Sequence, residues 1–211
     1  MKIYDFQLGQ LGTNTYLIVP ENSDSAILVD CPYEAVETIP HFLKQIDRKL
    51  EAILLTHGHW DHIWDTAELA KITGAKVYAS KFGTHLIEDA DLQREVLFSG
   101  DGLQSAHIDI KINDGDEFEI AGVKIKCLEA FGHSPDSIVY YIESENIAFV
   151  GDVLFAGSIG RTDLWEGNYA QLEKSIKTKL YTLPNDTRVL NGHGPETSIG
   201  VEKKSNCFVR G

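Results

Sequence analysis

Four apolar runs in this 211-residue chain stop abruptly, and each hands over to a loop carrying His or Asp. Leu54-Leu55-Thr56 leads into His57-Gly58-His59-Trp60-Asp61-His62, and Ala130-Phe131-Gly132 into His133-Ser134-Pro135. Phe149-Val150-Gly151 ends at Asp152, and Val189-Leu190-Asn191-Gly192 at His193-Gly194-Pro195. Glycines among these residues let the backbone fold tightly around a small buried object. A fold that suits the chain therefore keeps these strand ends together.

The rest of the pattern supplies the layers. Residues 15–19 and 26–29 are β-prone runs separated by a turn-rich stretch, and predict a hairpin. A helix is predicted over 35–46, with Pro40 kinking or restarting it. Residues 52–55 have strand length, 66–72 helical composition ending at Gly74, and 76–79 strand composition. An acidic helix-like piece covers about 86–97, followed by a Gly-rich loop. Residues 117–120 and 123–128 read as strands joined by Ala121-Gly122, and 138–142 with 147–150 as a hairpin. An amphipathic helix over 169–181 precedes a last strand at 188–190. Strands thus come both as hairpins and as strand-helix-strand units, so a mixed sheet, or two packed sheets, with helices outside is expected.

Imidazole suits borderline ions such as zinc, and carboxylate can bridge two ions. Four ligand-type residues within six positions cannot all reach one ion, because neighbouring side chains diverge; they can split between two. At this chain's His and Asp frequencies a chance H-x-H-x-D-H arises about once in a thousand such chains.

Thr56-His57-Gly58-His59-Trp60-Asp61-His62 resembles the signature of the metallo-β-lactamase-fold hydrolases, and His133, Asp152 and His193 match that family's later ligands in order. The stretch from Gly151-Asp152-Val153-Leu154-Phe155 to Gly160-Arg161-Thr162-Asp163 is similar to the glyoxalase II-like (hydroxyacylglutathione hydrolase-like) branch, and the ending around Gly192-His193-Gly194 to its single-domain members. The resemblance implies an α/β protein (α+β by some schemes): an αββα four-layer sandwich of two mixed β-sheets flanked by helices. It implies one domain over 1–211, since 18 residues follow His193 and the helical glutathione-binding domain of the two-domain enzymes is not expected. It further implies two divalent ions, with zinc the first choice and iron or manganese the others. His57, His59 and His133 would hold one, Asp61, His62 and His193 the second, and Asp152 would bridge them. The expected reaction is attack of a metal-bridging hydroxide on a thioester or small acyl ester, with Asp61 orienting it.

The chain departs from the family in four places. Ile63-Trp64-Asp65 follows the His-Asp-His cluster where Gly-Gly is common, and Ser134-Pro135-Asp136-Ser137 replaces the usual residues after the third histidine. Asn191 stands for a proline, and Asn206-Cys207 for Asn-Pro. None removes a ligand. Alternatives of other classes are a mono-iron persulfide dioxygenase, which resembles this chain around Gly160-Arg161-Thr162-Asp163, and a non-catalytic metal-binding protein on the same scaffold.

Outside the loops the expectations are plainer. Asp30 either orients a ligand histidine or caps a turn, and Arg161 meets a substrate carboxylate or pairs with Asp163. Cys31 is expected to be an inert buried thiol, His41, His85 and His107 surface or structural groups, and Trp60, Trp64 and Trp165 packing residues. Glu88-Asp89-Ala90-Asp91 reads as a solvated face, and residues 81–107 as the border of the substrate entrance. A net charge of −13 weighs against nucleic acid as a partner, and no run of about 18 apolar residues exists to span a membrane. Three cysteines without C-x-x-C spacing and an N-terminus unlike a secretory signal lead to a cytoplasmic expectation, with a small molecule as partner.

Overall fold

The computed structural model describes residues 1–96 and 101–211. Strands β1 (Lys2–Leu8), β2 (Thr13–Val19) and β3 (Ser25–Val29) form an antiparallel meander. Helix α1 (Ala35–Gln45) then crosses over to β4 (Lys49–Leu54), which lies parallel to β3. Helices α2 (Trp60–Ile63) and α3 (Thr66–Thr73) lead to β5 (Lys76–Ser80), and α4 (Thr84–Ile87) and α5 (Ala90–Val96) to β6 (Ile110–Ile112), each strand parallel to the last. These six strands make the first sheet, in chain order.

The second sheet starts with the antiparallel run β7 (Glu117–Ile120), β8 (Val123–Glu129), β9 (Ile138–Ile142) and β10 (Ile147–Gly151). A small ribbon, β11 (Leu154–Phe155) with β12 (Ser158–Ile159), and α6 (Tyr169–Thr178) follow. The chain returns in β13 (Arg188–Asn191), parallel to β10, and closes with β14 (Thr197–Ser198) and α7 (Ile199–Ser205). The order across the sheet is β14-β13-β10-β9-β8-β7.

Period-two alternation decides what each face packs against. In β2 and β3, Tyr16, Ile18, Ile27 and Val29 face inward, where they meet Ile138, Tyr140, Ile147 and Phe149 of the second sheet. The intervening Leu17, Val19, Ala26 and Leu28 face outward against Ala35, Ile39 and Leu43 of α1 and Leu69 of α3. On the far side Val139, Tyr141, Ala148 and Val150 receive Leu172 and Ile176 of α6 and Ile199 of α7. Three apolar layers between four layers of structure give the expected αββα sandwich of two mixed sheets. Strands buried on both faces explain why the central runs read as continuously apolar.

Several local expectations are corrected. Pro40 does not restart α1: one helix runs through it, because Ala35, Ile39 and Leu43 bury a complete face and outweigh one missing hydrogen bond. The helix expected over 86–97 is two short helices, α4 and α5; Leu97 lies outside the described residues. Glu88-Asp89-Ala90-Asp91 is no simple solvated face. Glu88 accepts the Ile108 N–H at 3.1 Å, Asp89 accepts the Leu92 N–H at 3.1 Å, and Ala90 is buried. The helix expected over 169–181 is α-helical only to Thr178 and tightens to a 3₁₀ turn at Leu180–Thr182. Residues 188–190 are not the last strand, since β14 and α7 follow. Strand β1 escapes a run-based reading because Lys2, Asp5 and Gln7 interrupt its apolar residues, and its Tyr4 and Phe6 pack edge-on against Phe42 of α1.

Candidate metal centre

Strands β3 and β4 are parallel, as are β10 and β13, and β8 runs with β10 because both are antiparallel to β9. Their carboxyl ends open on one edge of the sandwich, where polar sites of open sheets form. Cross-links between the sheets fix that edge. Ile138 N–H donates to the Thr56 carbonyl at 2.7 Å, and Asn14 N–H to the Gly192 carbonyl at 2.7 Å. Two core tyrosines reach across in opposite senses. The Tyr16 hydroxyl of the first sheet donates to the Asn191 carbonyl at 2.7 Å, and the Tyr140 hydroxyl of the second to the Leu55 carbonyl at 2.8 Å.

All seven residues expected as ligands arrive at this edge. His57 and His59 follow β4, Asp61 and His62 lie in α2, His133 sits between β8 and β9, Asp152 directly follows β10, and His193 lies two residues beyond β13. Their donor atoms fall into three overlapping groups, each within 4.8 Å: His57, His59 and His133; His57, His62 and Asp152; Asp61, His62 and His193. His59 Nδ1 and His133 Nε2 face each other at 2.9 Å. Asp152 spans the cluster, with Oδ1 3.3 Å from His62 Nε2 and Oδ2 3.6 and 3.5 Å from His133 Nε2 and His193 Nε2. Asp61 Oδ2 lies 3.2 Å from His193 Nε2. Gly192 is required here, because a Cβ would stand 2.2 Å from Asp152 Oδ1 and 2.6 Å from His62 Cε1.

The surroundings aim these groups. Asp30 meets both Thr56 and His62: Oδ1 accepts the Thr56 N–H at 2.8 Å, while Oδ2 accepts the Thr56 hydroxyl at 2.9 Å and lies 2.8 Å from His62 Nδ1. It does so at a backbone φ of 60°, a strained position for a residue with a side chain. His133 Nδ1 sits 2.7 Å from the Arg161 carbonyl, and the Thr13 hydroxyl donates to Asp61 Oδ2 at 3.2 Å. Asn191 Nδ2 donates to the Pro195 carbonyl at 2.8 Å and ties the His193 loop. Thr13 and Thr56 escape sequence reasoning, because nothing local marks a threonine whose partner is 26 or 48 positions away.

Electrostatics divide the cluster. Burial, reinforced by neighbouring imidazoles, holds His57 well below its ordinary pKa, His59 down to about 3 and His133 below the usual range. These are neutral rings with lone pairs to give. Burial would lower His62 too, but Asp61, Asp152 and Asp30 outweigh it and raise its pKa well above the ordinary value; His193 rises through its bond to Asp61 and the charge of Asp152. Burial opposes ionisation of Asp61 and Asp152, yet His62 and its neighbours lower both. Among the described residues, buried His57 Nε2, His62 Nε2 and Asp152 Oδ1 have no hydrogen-bond partner. Orphaned imidazole and carboxylate atoms gathered in overlapping groups fit divalent metal.

The side chains of the remaining candidates lie outside the cluster. Arg161 forms a two-point ion pair with Asp163 at 2.7 and 2.8 Å on the exposed surface, so of its two expected partners the structure shows Asp163. Cys31 is buried and burial pushes its thiol pKa well up. His41 faces Gln45 at 2.9 Å, His85 faces Glu166 at 3.0 Å and His107 is exposed near Glu88, none of them in the cluster. Of residues 81–107, Asp101 lines a cavity beside Asp61; residues 97–100 lie outside the described residues. Among the described residues no helix is long and apolar enough to cross a membrane.

Two mixed sheets flanked by helices, with a His/Asp cluster at the shared carboxyl edge, define a metal-binding α/β protein. Residues 8–193 match the Metallo-beta-lactamase superfamily, and the chain belongs to it. It is 36% identical to the probable metallo-hydrolase YqgX of Bacillus subtilis (strain 168), over all of this chain and 99% of the relative. It is 32% identical to the hydroxyacylglutathione hydrolase GloC of Haemophilus influenzae, over 91% of each. Among solved structures it is similar to the BLEG-1 B3 metallo-beta-lactamase, with a TM-score of 0.92, 33% identity and full coverage of both chains. TTHA1623 in a di-iron-bound form gives 0.85 and 32% over 98% of this chain and 100% of that one. ETHE1 from Myxococcus xanthus gives 0.83 and 30% over 99% and 84%.

Proposed function

We propose that the chain is a metal-dependent hydrolase of thioesters or small acyl esters. In this reading His57, His59 and His133 hold one divalent ion, Asp61, His62 and His193 a second, and Asp152 serves both. The observation that carries it is the set of overlapping donor groups with Asp152 between them. Ions held there would supply Lewis acidity, ionising a water near neutral pH and polarising a carbonyl oxygen.

The chain's own residues do the positioning. Asp30 turns His62 and the Arg161 carbonyl turns His133, so each ring offers one nitrogen to the cluster. Thr13 and His193 fix the Asp61 carboxylate, which also orients the attacking water in this reading. Every imidazole of the cluster is engaged as a donor, leaving none as a dedicated acid. A thiolate with a solution pKa of about 8.5 departs without one, whereas an amide or β-lactam nitrogen needs a proton. The likeness to GloC, itself named a hydroxyacylglutathione hydrolase, supports a thioester. A His-rich set favours zinc, and the di-iron form of TTHA1623 supports iron as the alternative. A small-molecule partner suits a chain with a net charge of −13.

Elemental analysis of the purified protein, with thioester hydrolysis assayed on the same sample, tests this. Close to two metals per chain, with turnover abolished in His59→Ala, is expected. A single iron, oxygen consumption with a persulfide and no thioester turnover would replace hydrolysis by dioxygenation.

A further inference from the structure

A cavity of about 440 Å³ opens directly beside Asp61, within the size range of small-ligand sites. Its apolar walls are Leu11, Tyr33, Trp60 and Trp64. The aromatic rings brace one another edge to face: Tyr33 and Trp64 are 6.0 Å apart at 88°, and Trp60 and Trp64 5.8 Å apart at 75°. The loop beyond rests on the same indole, since a Cβ on Gly102 would lie 3.2 Å from Trp64. Leu11 and Tyr33 are 57% and 49% exposed at the mouth, so apolar surface faces water next to the donor cluster.

The polar side of the cavity carries Gln10, Thr13 and two acids. Asp61 and Asp101 line it, and among the described residues its lining holds no Lys, Arg or His. The Thr13 hydroxyl is already spent on Asp61. A carboxylate-bearing group would find no cationic side chain there, whereas an uncharged ring or alkyl group would exchange exposed apolar wall for contact.

We propose that this cavity is the specificity pocket of the site, taking an uncharged apolar group of ring size on one side of the scissile bond. The proposal rests on the hydrolase reading above. It predicts that thioesters with aryl or medium alkyl groups are preferred over those with acidic ones.

The test uses metal-loaded protein and two series of thioesters. One carries acetyl, hexanoyl, phenylacetyl, succinyl or the cationic betainyl group on 2-mercaptoethanol. The other carries acetyl on 2-mercaptoethanol, benzyl mercaptan or glutathione, and so tells an acyl pocket from a thiol pocket. At least about a tenfold rise in kcat/KM is expected for the apolar member of one series, with no rise for succinyl or glutathione. Trp64→Ala, and independently Leu11→Glu, should cut that apolar-to-acetyl ratio about tenfold. A flat ratio, or a preference for succinyl, betainyl or glutathione, would overturn the proposal.

Binding of phenylacetamide, which carries no ester, separates the pocket from the chemistry. The indole N–H resonances of Trp60 and Trp64 should shift saturably while that of Trp165 stays put. If no ester or thioester turns over but these two shift, hydrolysis fails and the pocket stands. Turnover with no shift removes the pocket and leaves hydrolysis.

Discussion

The Asp30 carboxylate is pinned by Thr56 and turned toward His62, which makes it the hinge between a strand end and a donor ring. Asn tolerates the same positive φ, so Asp30→Asn keeps the turn while weakening the pull on the imidazole. Metal affinity in that variant, measured by competition against a chelator, should fall about 10- to 100-fold. Asp136 makes a second prediction. It stands where the family resemblance breaks, buried with no hydrogen-bond partner for its Oδ2 among the described residues, and burial pushes its pKa up to about 6 against the opposing hydrogen bond from Ser134. The folded state therefore binds this proton more tightly than the unfolded chain. Its contribution to stability is complete below about pH 4 and is lost as pH rises through about 6, a change on the order of 3 kcal/mol. Denaturant titrations at pH 4.5 and 7 should show a smaller fall in stability for Asp136→Asn than for the parent; equal falls would remove this account. His57, His59, Asp61 and His62 were legible because they crowd into six positions, and His133, Asp152 and His193 because each follows an apolar run and matches the family resemblance. Thr13, Thr56 and the Arg161 carbonyl were not, since their roles exist only once distant segments meet.

Helix α1 shows how elements borrow from one another. Glu34, at its start, offers no side-chain cap and instead accepts the Gly9 N–H at 3.1 Å. The cap comes from Asp65 at the start of α3, whose Oδ2 accepts the Val36 N–H at 3.0 Å. Asp65→Ala should therefore destabilise α1, at a cost of about 1 kcal/mol, although it lies outside that helix. A shift of the urea midpoint at constant slope would register it, and an unchanged midpoint would deny the cap. The central strands and α3 were legible as apolar runs with stop residues. Helix α7 was not, because it holds buried Glu202, which accepts from Gly157 N–H, Thr197 and Asn206. A buried acid inside a short helix looks, in sequence, like a polar tail.

Across the whole molecule the donor cluster joins two halves. His57, His59, Asp61 and His62 come from connections of the first sheet, and His133, Asp152 and His193 from those of the second. Ions bound there stabilise the folded form by mass action, about 4 kcal/mol at a thousand-fold excess over Kd. Stripping metal with a chelator should lower Tm by roughly 8–16 °C, and returning zinc should restore it. An unaltered Tm would mean that the cluster does not hold ions in the folded state. Strand patterns alone left one mixed sheet or two packed sheets, and the family resemblance chose two; the joining of the sheets was not legible, since it involves Tyr16 and Tyr140 reaching carbonyls of the opposite sheet. Those two phenols hold the rim from inside the sandwich, independently of the loops that surround it. Loops such as residues 9–12 and 101–102 are thereby free to drift over generations, trading one substrate for another while descendants inherit an unshifted ring of donors.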